Sequence, residues 1–217
     1  MNRREFSGAA GTVLGATALG LPGFARAQGR PEEGKHFRRL DKVVPADGAP
    51  AGRIEVIEFF WYSCPHCNAF EPKLAAWTKK LPQDVYFHRI PVAFRDDFVP
   101  QQRLYYTLEA MGKLNELHAR VFDEIHNKRQ PTNREDLILA FAEKNGLDRA
   151  KVQEVYNSFS VQAKARRAQQ LQDQYQVQGV PAMAVAGRWY TDGDLAGNMD
   201  RCLQIVDYLV AEARKAK

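Results

Sequence analysis

Cysteine is scarce in this chain, three residues in 217, and an odd three cannot all pair within it. That excludes a small fold held together by disulfides. An excess of one charge is also lacking: 31 Lys and Arg stand against 26 Asp and Glu, a formal net charge of +5. Nucleic-acid binding needs a concentrated basic face, and so small a surplus spread over the chain supplies none. Glycine and proline, 15 and 11 residues, are too few for a collagen-like or low-complexity chain. No apolar run reads as a permanent membrane span, because the best candidate, residues 9–24, is broken by Gly11, Gly15, Gly20 and Pro22. What is there is an ordinary globular composition, 45% hydrophobic and 26% charged, long enough to bury a core.

The first 27 residues read as a leader. Arg3-Arg4 supply a basic start, an Ala/Gly/Leu stretch follows, and Ala25-Arg26-Ala27 is a small-residue cleavage pattern ahead of Gln28. The arginine pair followed by Phe6 resembles a twin-arginine signal, although Asn2 precedes it and Ser7-Gly8 stand where Leu-Lys is usual. A generic basic n-region is the other reading. Losing Arg3, Arg4, Arg26 and Glu5 removes two positive charges from +5 and leaves +3. The expected destination is the periplasm, an oxidising compartment in which thiol pairs form or exchange disulfides.

Along the mature chain, residues 36–40 suggest a short strand. Ile54-Glu55-Val56-Ile57-Glu58-Phe59-Phe60 is a near-continuous apolar run, suited to a strand covered on both faces. Phe70, Leu74 and Trp77 keep helical spacing over 65–80, and strand composition returns over 85–90, completing a βαβ unit. From Phe98 to about Tyr175 the period is helical. Thr132-Asn133-Arg134-Glu135 reads as a capping box with Gly146 closing its helix, and Asp148 as the cap of the next. The Gln- and Arg-rich stretch 162–176 carries a thin apolar stripe and reads as a long, solvent-bathed helix. Strands over 182–186 and 188–191 form a hairpin around Gly187, Asp192-Gly193 turns again, and 197–215 is a last amphipathic helix. The fold class is therefore α/β, with an all-helical insertion: a first α/β part over 28–96, the insertion over 97–171 and a second part over 172–217.

Cys64-Pro65-His66-Cys67 falls where a strand ends and a helix begins, and C-x-x-C in a βαβ setting is a redox signal. The first cysteine meets free N–H groups and the positive end of the helix dipole, and His66 adds to the same bias toward thiolate. Pro65 suits the first turn, where a missing N–H costs nothing. Stabilising the thiolate makes the disulfide more oxidising, by about 1.36 kcal/mol per pKa unit, or roughly 30 mV. A zinc half-site is the competing reading, but Cys202 is isolated and His36, His88, His118 and His126 lack ligand spacing, so no metal is expected. A purely structural disulfide would close too short a loop to stabilise much.

The run from Glu58 through Trp61-Tyr62-Ser63 to Cys64-Pro65-His66-Cys67, then Phe70-Glu71-Pro72, and later Gly179-Val180-Pro181-Ala182-Met183, resembles the DsbA family of thiol:disulfide oxidoreductases. The resemblance spans the mature chain and implies a thioredoxin fold with an inserted helical domain. It implies Cys64 and Cys67 as the catalytic pair, with Pro65 and His66 between them and no cofactor beyond their redox-active disulfide. It also implies a cis peptide at Val180-Pro181 beside the pair, presenting the Val180 backbone to an extended substrate. By the same resemblance Glu58 is a buried carboxylate that relays a proton to Cys67, against the alternative of an outward residue at a strand edge. Glu71 reads equally as functional or as a solvated helix carboxylate. Cys202 reads as an inert core thiol.

The implied function is donation of the Cys64–Cys67 disulfide to reduced exported proteins, with reoxidation by a membrane quinone-linked partner of DsbB type. No nucleic-acid partner is expected, and the chain is expected to be a monomer. The alternatives are an isomerase or reductase of the same superfamily, and a periplasmic metal- or peptide-binding protein. Isomerases usually carry an N-terminal dimerisation domain, for which about 25 residues before Ile54 leave no room.

Overall fold

A seven-residue strand with no exposed side chain, β2 (Ile54–Phe60), runs through the middle of the protein. The computed structural model describes residues 29–216, so the leader expected over residues 1–27 lies outside the described residues. Beside β2 on one side lies β3 (Val85–Pro91), in parallel, with Ile54 opposite Val85 and Phe60 opposite Pro91. On the other side β4 (Ala182–Val185) runs antiparallel, with Glu58 opposite Met183. The hairpin partner β5 (Trp189–Asp192) and the two-residue β1 (Arg38–Arg39) complete the order β1-β5-β4-β2-β3.

The two cores follow the pleat of the sheet. On one face Ile54, Val56, Met183 and Val185 pack against α1 (Pro65–Thr78) and α8 (Met199–Lys215) through Phe70, Leu74, Ile205 and Val206. On the other, Ile57, Phe59, Ala182 and Ala184 meet the helices between β3 and β4. These are α2 (Val99–Ala110), α3 (Leu114–His126), α4 (Glu135–Lys144), α5 (Arg149–Tyr156) and α6 (Phe159–Gln174). Covering both faces is what a near-continuous apolar strand requires.

Local chemistry accounts for several ends. Asp148 accepts the Lys151 N–H at 2.7 Å and caps α5. At the end of α4, Gly146 (φ 80°) and Leu147 return their N–H groups to Glu143 and Ala142, a Schellman closure. The thin stripe read over 162–176 is present, with Ala165, Ala168, Leu171 and Tyr175 buried while Gln162, Lys164, Arg166, Gln170, Asp173, Gln174 and Gln176 are exposed. Two expectations fail. Thr132 does not cap α4, which begins only at Glu135; its hydroxyl is buried and accepts from Gln101 Nε2 at 3.3 Å instead. A tertiary partner has outbid the local cap. Asp192-Gly193 is not a simple turn: Asp192 accepts the Leu195 N–H at 2.9 Å and caps the one-turn helix α7 (Gly193–Ala196).

The hairpin turn depends on Gly187 twice over. Its φ is 66°, and a Cβ there would stand 1.9 Å from the Val44 carbonyl oxygen. Gly187→Ala is expected to lower unfolding free energy by about 2 kcal/mol or more. Gly52→Ala, with positive φ but open space around it, is expected to cost about 1 kcal/mol. Urea unfolding of the two variants checks the difference.

Candidate active site

The central strand ends at Phe60, three residues intervene, and Cys64 then occupies the N-cap of α1, which begins at Pro65. Its backbone is extended (φ −77°, ψ 118°), as a cap requires, and Pro65 follows at the first helical position. The Cys64 sulfur accepts the Cys67 N–H at 3.4 Å, where a serine or aspartate oxygen would ordinarily stand. Across the site, the Val180–Pro181 peptide is cis and the Cys64 thiol donates to the Val180 carbonyl at 3.4 Å. Both cysteines are free thiols.

The two sulfurs sit in opposite environments. A hydrogen bond from the Cys67 thiol, opposed by burial and joined by the backbone N–H groups of Cys67 and His66 and the nearby His66 side chain, brings Cys64 down from 9.0 to about 6. That fall is worth about 4 kcal/mol in favour of the thiolate. Cys67, fully buried, is pushed well up by desolvation. His66 is exposed and stands with Val180 and Pro181 at the rim of a groove of about 730 Å³, lined also by Asp194 and Met199.

Beneath Cys67 lies a chain of buried charge. Glu58 is 1% exposed in the interior of the sheet, so the edge-strand alternative does not apply. Its Oε2 accepts Arg89 Nε at 2.8 Å, and the same guanidinium donates to Glu71 Oε1 at 2.8 Å. Burial raises Glu58 to about 8, with Arg89 opposing and the negative charge of Glu71 adding to the rise. Burial also works against the Glu71 anion, but His118 and Arg89 outweigh it and hold Glu71 low. Glu71 is therefore no solvated helix carboxylate. Cys202 is fully buried on α8, and desolvation raises it strongly.

Around the motif, Trp61 stacks on Phe98 at 3.7 Å between centroids, and His126 Nε2 bonds the Tyr62 carbonyl oxygen at 2.8 Å. Gln101, nearly fully buried, hydrogen-bonds the Ser63 hydroxyl at 2.7 Å and ties the residue before Cys64 to α2. Arg89, His118 and Gln101 have no signature in the sequence. Arg89 belongs to a strand with mixed burial, and the other two look like ordinary helix residues.

The DSBA-like thioredoxin domain model matches residues 55–207. The chain belongs to the DsbA family. It is 41% identical over 207 residues to the thiol:disulfide interchange protein DsbA of Bordetella pertussis, covering 95% of each chain. It is 38% identical over 202 residues to that of Burkholderia cepacia, covering 92% of this chain and 95% of the other. The crystal structure of Pseudomonas aeruginosa DsbA superposes with a TM-score of 0.81 at 37% identity, over 86% of this chain and 96% of that one. The sheet and its intervening helices are thus the thioredoxin-like DsbA fold, with helices α2–α6 inserted between β3 and β4.

The split between the sulfurs gives a direct measurement. Thiolate absorbance at 240 nm of the reduced protein is expected to rise with a midpoint near 6, to disappear in Cys64→Ala, and to be untouched by Cys202→Ala. Because the folded-state value lies below that of the unfolded thiol, reduced protein should gain stability over Cys64→Ala as pH rises from about 6 to about 9. Below about 6 that advantage is lost. Urea unfolding at pH 5 and pH 8.5 reads the change.

Proposed function

We propose that the chain is exported to the periplasm and there oxidises reduced client proteins by handing on the Cys64–Cys67 disulfide. The chain is a thiol:disulfide oxidoreductase, as its family match indicates. The observation that supports donation over reduction is the low-lying Cys64 at a helix N-cap beside a high-lying, buried Cys67. A stabilised Cys64 thiolate lowers the energy of the reduced form and so raises the reduction potential. Neither the isomerase nor the reductase alternative is favoured by the match.

The reaction begins from the oxidised pair. A client thiolate attacks the Cys64 sulfur, the Cys64–Cys67 bond breaks, and the Cys67 sulfur leaves with the bonding electrons. Glu58, able to hold a proton near neutral pH, is suited to supply the one that Cys67 then takes. A second client thiolate attacks the client sulfur of the mixed disulfide and expels Cys64 as its thiolate. The client has lost two electrons, and the pair has gained them as one thiolate and one thiol.

His66 and Pro65 shape the turn that presents Cys64, and Val180 with Pro181 offers main-chain groups to an extended client segment lying in the adjacent groove. The partners proposed are reduced exported proteins and, on family resemblance, a membrane quinone-linked reoxidant of DsbB type. The active form is proposed to be a monomer, and the redox-active disulfide its only redox group.

Equilibration with glutathione tests this reading. The pair is expected to be distinctly more oxidising than the thioredoxin range of about −270 mV. With glutathione disulfide supplying the oxidising equivalent that the variant lacks, Cys67→Ala is expected to accumulate a mixed disulfide at Cys64, whereas Cys64→Ala forms none there. A potential at or below the thioredoxin value would refute donation.

A further inference from the structure

The carboxylates under Cys67 do not end the buried polar chain. On the far side of Glu71 stands His118, from α3 of the helical insertion, 6% exposed. Its Nε2, buried and without a hydrogen-bond partner, lies 3.4 Å from Glu71 Oε2. Its Nδ1 lies 2.9 Å from the hydroxyl of Tyr62, two residues before Cys64. The rings of Phe60, Tyr105 and Phe122 pack edge-on around the imidazole.

We propose that His118 is a positioning residue for the dithiol chemistry: its Nε2–H keeps Glu71 a carboxylate, so that Arg89 stays shared between Glu71 and Glu58 and Glu58 remains able to carry a proton. The donor pattern follows from the neighbours. A tyrosine hydroxyl has a proton to give and a carboxylate has none, so the arrangement that satisfies both is a neutral imidazole accepting at Nδ1 and donating at Nε2. Burial favours the same neutral form. Glu71 then has Arg89 donating to Oε1 and the His118 Nε2–H standing 3.4 Å from Oε2.

Without the His118 Nε2–H beside it, Glu71 is a largely buried carboxylate with Arg89 as its partner, and it takes up a proton more readily. To the extent that Glu71 is protonated, Arg89 serves Glu58 alone and the negative charge of Glu71 that opposes ionisation of Glu58 falls. Both changes favour ionised Glu58. The groups facing this system are Arg89 from β3, Glu71 from α1, Tyr62 and Cys64 from the segment between β2 and α1, Cys67, Tyr105 from α2 and Cys202 from α8. The insertion helices thereby set the proton affinity of a group in the central strand.

The inference borrows from the proposed function only the pairing of Glu58 with Cys67, and its test reads the carboxyl groups themselves. It therefore stands or falls separately from disulfide donation. Infrared titration of the reduced protein, with the Glu58 carboxyl band assigned by Glu58→Gln, gives the Glu58 midpoint. In His118→Phe, which fills the aromatic nest and removes both nitrogens, that midpoint is expected to fall by about one pH unit. His118→Gln, which keeps an N–H for Glu71, is expected to restore it. In a Glu71→Gln background His118→Phe should move it no further. A midpoint unchanged in folded His118→Phe, or an equal fall in His118→Gln, would overturn the proposal. The unaltered protein decides independently: two-bond proton–nitrogen spectra at pH 8 should find His118 neutral with its proton on Nε2, and a proton on Nδ1 or an imidazolium there would overturn it as well.

Discussion

A sulfur atom stands where the N-terminus of α1 calls for an oxygen acceptor, and the site is organised around that placement. The first N–H groups of a helix have no partner within it. At α1 they meet the Cys64 sulfur, so capping the helix and stabilising a thiolate are the same interaction. Pro65 contributes no N–H of its own to satisfy, and Cys67 lies one turn into the helix with its sulfur buried. The helix is held by β2 and α8 through Phe70 and Leu74, so the cap cannot drift from the Val180 carbonyl opposite.

A second constraint follows from the first. A thiol as buried as Cys67 resists ionisation, and any proton it exchanges needs a neighbour able to hold one. Glu58 is placed to do this only because its charge is partly compensated. One guanidinium divided between two carboxylates leaves the more buried of them poised near neutrality, whereas an undivided ion pair would hold it ionised. Buried charge of this kind is a costly way to stabilise a fold, since desolvation takes back much of the Coulombic gain. Its position beneath a reactive pair gives it a chemical purpose.

Much of the architecture was legible along the chain because its causes are local. Seven apolar residues in succession demanded a strand covered on both faces. Asp148 and Gly146 marked helix ends through the donors and the backbone angle each supplies. The C-x-x-C motif at a strand-to-helix junction was readable because helix N-terminus and reactive sulfur are four residues of one segment. The same local reading misjudged Thr132, whose hydroxyl a distant glutamine claims.

By itself, then, the sequence determined the redox pair, the central strand and the order of elements, all of which depend on neighbours within a few residues. Only the tertiary structure decided that Glu58 is buried, that Arg89 is shared, and that Tyr62 and His118 complete the network. Those four residues and Glu71 come from β2, β3, α1, α3 and the segment before α1, and are separated by up to 60 positions. Proton affinity depends on distance and burial in space, and neither is encoded by spacing along the chain.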